Sequence, residues 1–263
     1  MSSLISMILA FVALVAAFII EGGHPDGLLS LTAAIIVFIG TGCAVVASFP
    51  MSRIKKIPKI LKVCFGSRKS DLPKLIYYFK EVSTKTRRNG LLSLESEITG
   101  ATEVDPFIKK GLQMVVDGLE PQSVKGTLEL QVDMMSERHH EGAQMFEAAG
   151  GLSPTLGIIG TVMGLVHVLG SLGGDSSTLG ETIAPAFIAT LYGVAFANLV
   201  YIPICTKLKS LDAEEVKEKL LVIEAVTLIQ EGVNPNVIGE KLKSFLDGKE
   251  LAEYEQIDKA VEA

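Results

Sequence analysis

Lysine and arginine are absent from two long stretches of this chain, Met1–Ser52 and His139–Thr206. All 24 of these cations fall in two other blocks, Arg53–Arg138 and Lys207–Lys259. A soluble domain of 263 residues mixes charge with apolar residues along its length, whereas the cation-free stretches here are also the apolar ones. This segregation argues against an ordinary soluble domain and indicates a membrane protein with its basic residues on one side of the bilayer.

The sequence also lacks the residue patterns that disulfide formation, metal binding, catalysis and nucleic acid binding require. The three cysteines are scattered, so the sequence shows no disulfide framework and no metal-ligand spacing. It has no phosphate-binding glycine-rich loop with its lysine, and no nucleophile with a base at usable spacing. The net charge of −6, without interleaved aromatic and basic residues, argues against nucleic acid binding. We therefore expect no catalysis, no cofactor, no metal and no nucleic acid partner.

Four apolar runs are candidates for membrane spans, because each is close to the roughly 20 residues that a helix needs to cross a bilayer. They are Leu4–Ile20, Leu28–Ser48, Leu152–Leu172 and Glu181–Cys205. The first run has no positive residue before it and a second run follows almost at once. We interpret it as a retained span rather than a signal peptide.

Charged residues beside these runs predict the topology. The turns Glu21–Gly27 and Gly173–Gly180 contain acids and no bases, whereas Arg53 and Lys207 begin the segments that follow the second and fourth runs. The positive-inside rule places both turns outside and the N- and C-termini in the cytoplasm.

The basic blocks have helical patterns, and strand alternation is absent. Asp105-Pro106 and Asn234-Pro235 are helix start signals, Gly118 is a stop signal, and Pro121 begins a further helix. We predict an all-α membrane protein with four transmembrane helices, a helical cytoplasmic domain between helices two and three, and a helical C-terminal tail. The predicted segments are 1–49 (transmembrane helices one and two), 50–150 (cytoplasmic domain), 151–206 (transmembrane helices three and four) and 207–263 (tail).

Spans three and four each carry a stripe of small residues at helical spacing. The stripes are Ser153, Gly157, Gly160 and Gly164 in span three, and Ala186, Thr190, Gly193 and Ala197 in span four. Small residues let helix backbones approach closely in lipid. The stripes therefore either pack span three against span four or form a surface for the helix of a partner.

Polar residues and prolines favour a function for the same two spans. Thr161 and Thr190 lie on or beside the stripes, and Pro154 and Pro203 fall near the cytoplasmic ends, where a hinge is expected. No Asp, Glu, Lys or Arg lies deep in any of the four spans, and His167 is the one ionisable side chain within span three. An ion pathway normally needs an intramembrane carboxylate. If this chain serves ion flow, we expect another polypeptide to supply that carboxylate.

Two of these segments resemble a known family. The stretches Gly157–His167 and Ile183–Gly193 are similar to the last two spans of the MotA/PomA family, the stator subunits of the bacterial flagellar motor. The stretch Arg87–Glu95 resembles the rotor-facing segment of that family, and the resemblance extends over about Leu4–Glu240. ExbB/TolQ proteins share the pattern of the last spans but have three spans, so an energy-transducing subunit of that type is the alternative.

The resemblance implies a set of partners and an assembly. Five copies of this chain would surround two copies of a MotB-like, single-span partner that supplies the transmembrane aspartate. Ion flow at the shared interface would turn this homopentamer around the partner in the inner membrane, amid its lipid. The cytoplasmic face of the ring would turn the rotor through FliG.

The resemblance also implies residue roles. Arg87, Arg88 and Glu95 lie in the segment that contacts the rotor. Pro154 and Pro203 match the prolines that couple protonation to conformational change. Thr190 matches a threonine that faces the partner's aspartate, and Thr161 matches a threonine linked to sodium use in some members. We expect protons rather than sodium as the transported ion, since a hydroxyl also serves a water-linked proton path. A purely structural scaffold is the third hypothesis.

Overall fold

A computed structural model of the chain describes residues 2–66, 70–100, 104–170 and 179–262, and every regular element within them is helical. This confirms the predicted all-α class. Six positions of the predicted turn Gly173–Gly180 lie outside the described residues. The α-helices are α1 (Ser2–Ile20), α2 (Leu31–Ala34), α3 (Gly40–Ser48), α4 (Met51–Ile54), α5 (Ile57–Phe65), α6 (Leu72–Asn89), α7 (Leu94–Gly100), α8 (Pro106–Val116), α9 (Pro121–Gly170), α10 (Leu179–Phe196), α11 (Ile202–Gln230), α12 (Pro235–Leu242) and α13 (Gly248–Glu262).

Two π-helical stretches join some of these helices end to end. Ile35–Ile39 connects α2 to α3, and Ala197–Tyr201 connects α10 to α11. Short 3₁₀ turns occur at Pro25–Leu28, Leu91–Ser93 and Lys243–Phe245. The second apolar run is therefore continuously helical from Leu31 to Ser48, and the fourth run is continuously helical from α10 into α11.

The helix starts follow from capping chemistry. The Asp105 carboxylate accepts a hydrogen bond from the Phe107 backbone N–H at 2.7 Å, and the Asn234 side-chain oxygen accepts one from the Asn236 N–H at 3.0 Å. A proline follows each cap, where its missing N–H costs nothing. Both predicted helix starts are confirmed. Gly118 has φ +76° after α8, which is the left-handed conformation that glycine adopts most readily at a helix end.

The chain forms two compact units. The first consists of Met1–Ser67 and His139–Leu211, and the second of Arg68–Arg138 and Asp212–Ala263. Both α9 and α11 contribute residues to each unit. Contacts define these units, so their limits differ from those of the predicted segments, which stay a prediction about the bilayer.

The first unit exposes a large apolar surface, whose contact with water would be unfavourable. Large apolar side chains of α1, among them Ile5, Leu9 and Val12, are more than half exposed, and none of the window Ser3–Ile20 is buried. Exposed apolar areas of this extent mark a membrane or a partner. Four helical stretches in the described residues are long and apolar enough to cross a bilayer, namely Ser3–Ile20, Pro25–Ser48, Pro121–Gly170 and Ile183–Gln230. The chain is therefore a membrane protein.

The second unit has a core of the kind found in water-soluble helical domains. Phe79 of α6, Leu112 of α8 and Val226 of α11 are buried in one apolar cluster. From α9, Val124, Leu128 and Val132 join this cluster, and Met135 packs against it partly buried. The helical spacing of these four residues in the sequence is thus the spacing of one buried face.

Candidate functional site

Thr161 of α9 and Thr190 of α10 meet through their side chains. Their hydroxyl oxygens lie 2.5 Å apart. Thr161 Oγ1 also lies 2.8 Å from the carbonyl oxygen of Ala186, and Thr190 Oγ1 lies 3.4 Å from that of Gly157. The two predicted ion-pathway residues are therefore neighbours. Four oxygen atoms cluster there among apolar helix faces.

The composition of this cluster limits its chemistry. A threonine hydroxyl has one hydrogen to donate and two lone pairs that accept. The pair can hydrogen-bond with water or coordinate a cation through the oxygen lone pairs, but neither hydroxyl holds a charge at neutral pH. No group of three or more His, Cys, Asp or Glu able to hold a metal occurs in the described residues. A charged ion at this cluster would need its counter-charge from outside the residues that form it.

Glycines bring α9 and α10 into backbone contact. A Cβ added at Gly157 would lie 2.7 Å from the carbonyl oxygen of Ala189, and one at Gly193 would lie 2.5 Å from that of Ser153. A Cβ at Gly164 would lie 2.5 Å from the Cβ of Ala186. The stripes therefore pack span three against span four, and the alternative that they form the surface for a partner is wrong for these glycines. Their close approach is also what lets the two threonine side chains touch.

The two predicted hinge prolines lie in different backbone environments. Pro154 is inside α9, which continues without a break to Gly170. A proline there removes one hydrogen bond from the helix ladder. Pro203 is the second residue of α11, two positions after the π-helical stretch Ala197–Tyr201 ends. Such π-helical stretches are rare in proteins, and those that do occur are often found at functional sites. The sequence signal for this one is the missing N–H of Pro203, which frees a carbonyl in the preceding turn.

The predicted rotor-facing charges lie on two helices separated by a glycine. Arg87 and Arg88 are in the last turn of α6, and Glu95 is in the first turn of α7. Between them, Gly90 has φ +80°, which ends α6. All three charged side chains are exposed, and none has an ion-pair partner among the residues that the structure describes. They are therefore free to meet charges on another protein.

An ion pair that sequence reasoning missed lies beside this segment. Lys85 Nζ of α6 lies 2.8 Å from Glu97 Oε1 of α7. Hydrogen bonding and charge from Glu97 raise the pKa of Lys85. Nearby, the Tyr78 hydroxyl is buried without a hydrogen-bond partner in the described structure, and burial, with the charge of Glu97, raises its pKa to about 12. Glu97 thus links α7 to α6 and helps fix the place from which the free charges project.

Comparisons with known proteins cover both units. A family model described as the MotA/TolQ/ExbB proton channel family matches residues 100–219. The chain is 37% identical over 254 residues to Motility protein A of Bacillus subtilis, covering 96% of this chain and 93% of the relative. It is 39% identical over 223 residues to Motility protein A of Borreliella burgdorferi, covering 85% of each.

Solved structures agree with these sequence matches. The flagellar MotAB stator complex from Bacillus subtilis contains a chain that matches with a TM-score of 0.89 at 37% identity, covering 96% of this chain and 99% of that chain. A chain of MotAB from C. jejuni matches with a TM-score of 0.87 at 31% identity, covering 94% of this chain and 96% of that chain. The same fold, over nearly the whole length, is therefore shared with subunits of stator complexes.

Proposed function

This chain belongs to the MotA/TolQ/ExbB proton channel family, within its motility protein A group, and we propose that it drives rotation by conducting protons together with a MotB-like partner. As a member of this group, it is a flagellar motor stator subunit. The observation that carries the proposal is the Thr161–Thr190 pair, since these hydroxyls meet between apolar helical segments, 152–170 and 183–202, that contain no Asp, Glu, Lys or Arg. A transmembrane aspartate from the partner would complete the pathway. The chain then acts as a channel subunit and not as an enzyme.

Protons are the ion that the proposal names. The hydroxyls of Thr161 and Thr190 and the carbonyls of Gly157 and Ala186 already lie within hydrogen-bonding distance of one another. A sodium ion would have to separate these groups in order to bind them, whereas a chain of water need only join them at a free lone pair. The proposed path therefore runs past the pair along water to the partner's carboxylate.

Rotation requires an assembly in which this chain surrounds its partner. The proposed state is a homopentamer around two MotB-like chains in the bacterial inner membrane, with both termini of each subunit in the cytoplasm. Pro154 and Pro203 would let α9 and the rod formed by α10 and α11 change shape when the aspartate takes up a proton. Arg87, Arg88 and Glu95 would engage charges on the rotor protein FliG. Exposed charges suit a contact that is remade at every step, because they steer and align partners more than they tighten binding.

Swimming speed against external sodium, at constant pH, tests the choice of ion. Cells in which this chain and its partner are the sole stator should swim equally fast with and without sodium. Their speed should fall when a protonophore collapses the proton gradient. Speed that rises with sodium and survives the protonophore would overturn the proposal for protons and leave the stator assignment intact.

A further inference from the structure

A groove in the first unit lies between α1 and the rod that continues from α10 into α11. It has a volume of about 360 Å³. Met7 and Ala10 of α1, with Leu199 and Pro203 opposite, form the apolar part of its walls, and Ser6 and Asn198 also line it. Ser3 and Lys207 lie at one end of it. The groove therefore has an apolar length and a cationic end, and Pro203 forms part of its wall.

Lys207 forms no ion pair in the described residues, unlike two other cations of the first unit. Arg53 pairs with Glu141, and Lys209 Nζ lies 2.9 Å from a carboxylate oxygen of Glu147. Lys207 Nζ instead lies 2.6 Å from the neutral hydroxyl oxygen of Ser3. Among the described residues, no carboxylate lies within ion-pair distance of it. The half-buried Lys207 ammonium group is therefore hydrogen-bonded to a neutral hydroxyl and has no negatively charged group beside it in the described residues.

We propose that this groove binds an anionic phospholipid of the inner leaflet. The phosphate occupies the end at Lys207 and Ser3, and one acyl chain lies along Met7, Ala10 and Leu199. Basic pockets between membrane helices on the cytoplasmic side are suited to acidic headgroups. A lipid supplies both things that the groove lacks, a negative charge at one end and hydrocarbon along the rest. A free phosphate would satisfy only the first.

The charge of the headgroup decides which lipid binds. Phosphatidylglycerol offers an uncompensated phosphate to Lys207. Phosphatidylcholine carries its own quaternary ammonium, which offsets that attraction. The site requires only that the first turn of α1 and the beginning of α11, where Ser3 and Lys207 lie, meet the inner leaflet. It therefore does not depend on which ion the stator conducts.

The chain contains no tryptophan, so a single introduced indole reports the groove alone. Met7→Trp places it in the groove wall, and Val12→Trp places a reference indole on an exposed position of α1 outside the groove. The full-length complex, with a partner freed of tryptophan, is reconstituted in nanodiscs. Brominated phosphatidylglycerol or brominated phosphatidylcholine then quenches the indole in contact with it.

We expect brominated phosphatidylglycerol to compete about fivefold better than brominated phosphatidylcholine at the Met7→Trp indole, the factor that one lysine near a membrane surface provides. At the Val12→Trp indole the two lipids should compete equally. Adding Lys207→Gln to Met7→Trp should abolish the preference. Lys209→Gln, which removes a base already paired with Glu147, should leave it unchanged.

Salt provides a second measurement that needs no change at Lys207. The preference at the Met7→Trp indole should shrink towards unity as ionic strength rises, because salt screens the phosphate–ammonium attraction. Three results would overturn the proposal: equal quenching by both lipids in low salt, a preference that survives Lys207→Gln, or an indole that neither lipid reaches. The last would mean that protein, such as a second copy of this chain, covers the groove.

Discussion

Thr161 Oγ1 and Thr190 Oγ1, 2.5 Å apart, form a hydroxyl contact between two helices that also approach each other closely at Gly157, Gly164 and Gly193. Each hydroxyl is half-buried, and each also has a backbone carbonyl of the neighbouring helix within reach. Removing either oxygen leaves the other with fewer partners in an apolar setting. The pair should therefore respond to substitution as a unit rather than as two independent groups.

Thr190→Ala should lower proton flux through the assembled stator by about tenfold, since the loss of one hydrogen-bonding group in an apolar site corresponds to ~1.4 kcal/mol. Thr190→Ser keeps the oxygen and should retain most of the flux. A pH-sensitive dye inside proteoliposomes that contain the complex measures it. Thr155→Ala is the matched control, because Thr155 Oγ1 bonds only within α9, to the Leu152 carbonyl. Equal flux in the Ala and Ser variants of Thr190 would show that its oxygen has no part in the path.

Gly193→Ala should destabilise the first unit, because the new Cβ would lie 2.5 Å from the Ser153 carbonyl oxygen and 3.1 Å from the Pro154 Cα. Overpacking of this kind costs about 1–3 kcal/mol. The thermal unfolding midpoint of the detergent-solubilised complex should fall. Gly151→Ala, in α9 with open space around the added Cβ, should leave that midpoint unchanged or raise it. A Gly193→Ala protein as stable as the wild type would contradict the close packing of α9 on α10.

Reversing the exposed charges should reduce torque without affecting assembly. Arg87→Glu combined with Glu95→Lys leaves the core untouched, since both side chains are exposed. We expect swimming speed to fall by at least about half, because like charges would then oppose each other across the rotor contact. Lys249→Glu, an exposed reversal on α13, is the control and should swim normally. Stator foci at the motor should be equally frequent in all three strains, and normal speed in the double variant would favour a scaffold role.

Tyr78 should make stability depend on alkaline pH. Its pKa is about 12 in the folded protein, above the ordinary value of ~10 that an unfolded chain shows. A raised folded-state pKa means that the contribution to stability is complete below about pH 10 and is lost as the pH rises through about 12. Tyr78→Phe should remove this part of the loss of stability. At neutral pH it should be neutral or mildly stabilising, because the buried hydroxyl has no partner. Unfolding midpoints of the two proteins between pH 9 and pH 12 provide the comparison, and parallel curves would contradict it.

Local signals in the sequence predicted much of the fold. Asp105-Pro106 and Asn234-Pro235 cap helices through bonds to residues only two positions away, so neither needs the rest of the chain to form. Gly90 interrupts the helix between Arg87 and Glu95 through its own positive φ. The segregation of charge likewise indicates the membrane unit, since solvation of a lysine depends little on tertiary packing.

The contact of Thr161 with Thr190 could not be predicted in the same way. It depends on the rotation of α9 about its axis relative to α10, and the small-residue stripes alone were compatible with two neighbours. Backbone distances at Gly157 and Gly193 decide for α10. The π-helical stretch Ala197–Tyr201 was missed because a change of helical register leaves the apolar pattern almost unaltered. The pair of Lys85 with Glu97 depends on how α7 folds back on α6 after Gly90.

The exposure of α1 along its whole length has a consequence for bilayer thickness. Its apolar window Ser3–Ile20 has 18 residues, which at 1.5 Å per residue span about 27 Å, a little less than the ~30 Å of hydrocarbon in an average bilayer. A helix that is too short has no spare length for tilt, so it matches its surroundings by drawing lipid inward around its ends. Ser3 lies at one of those ends, hydrogen-bonded to Lys207. In a thicker membrane the mismatch between α1 and the bilayer grows, and the hydrogen bond between Ser3 and Lys207 holds this end of α1 against it.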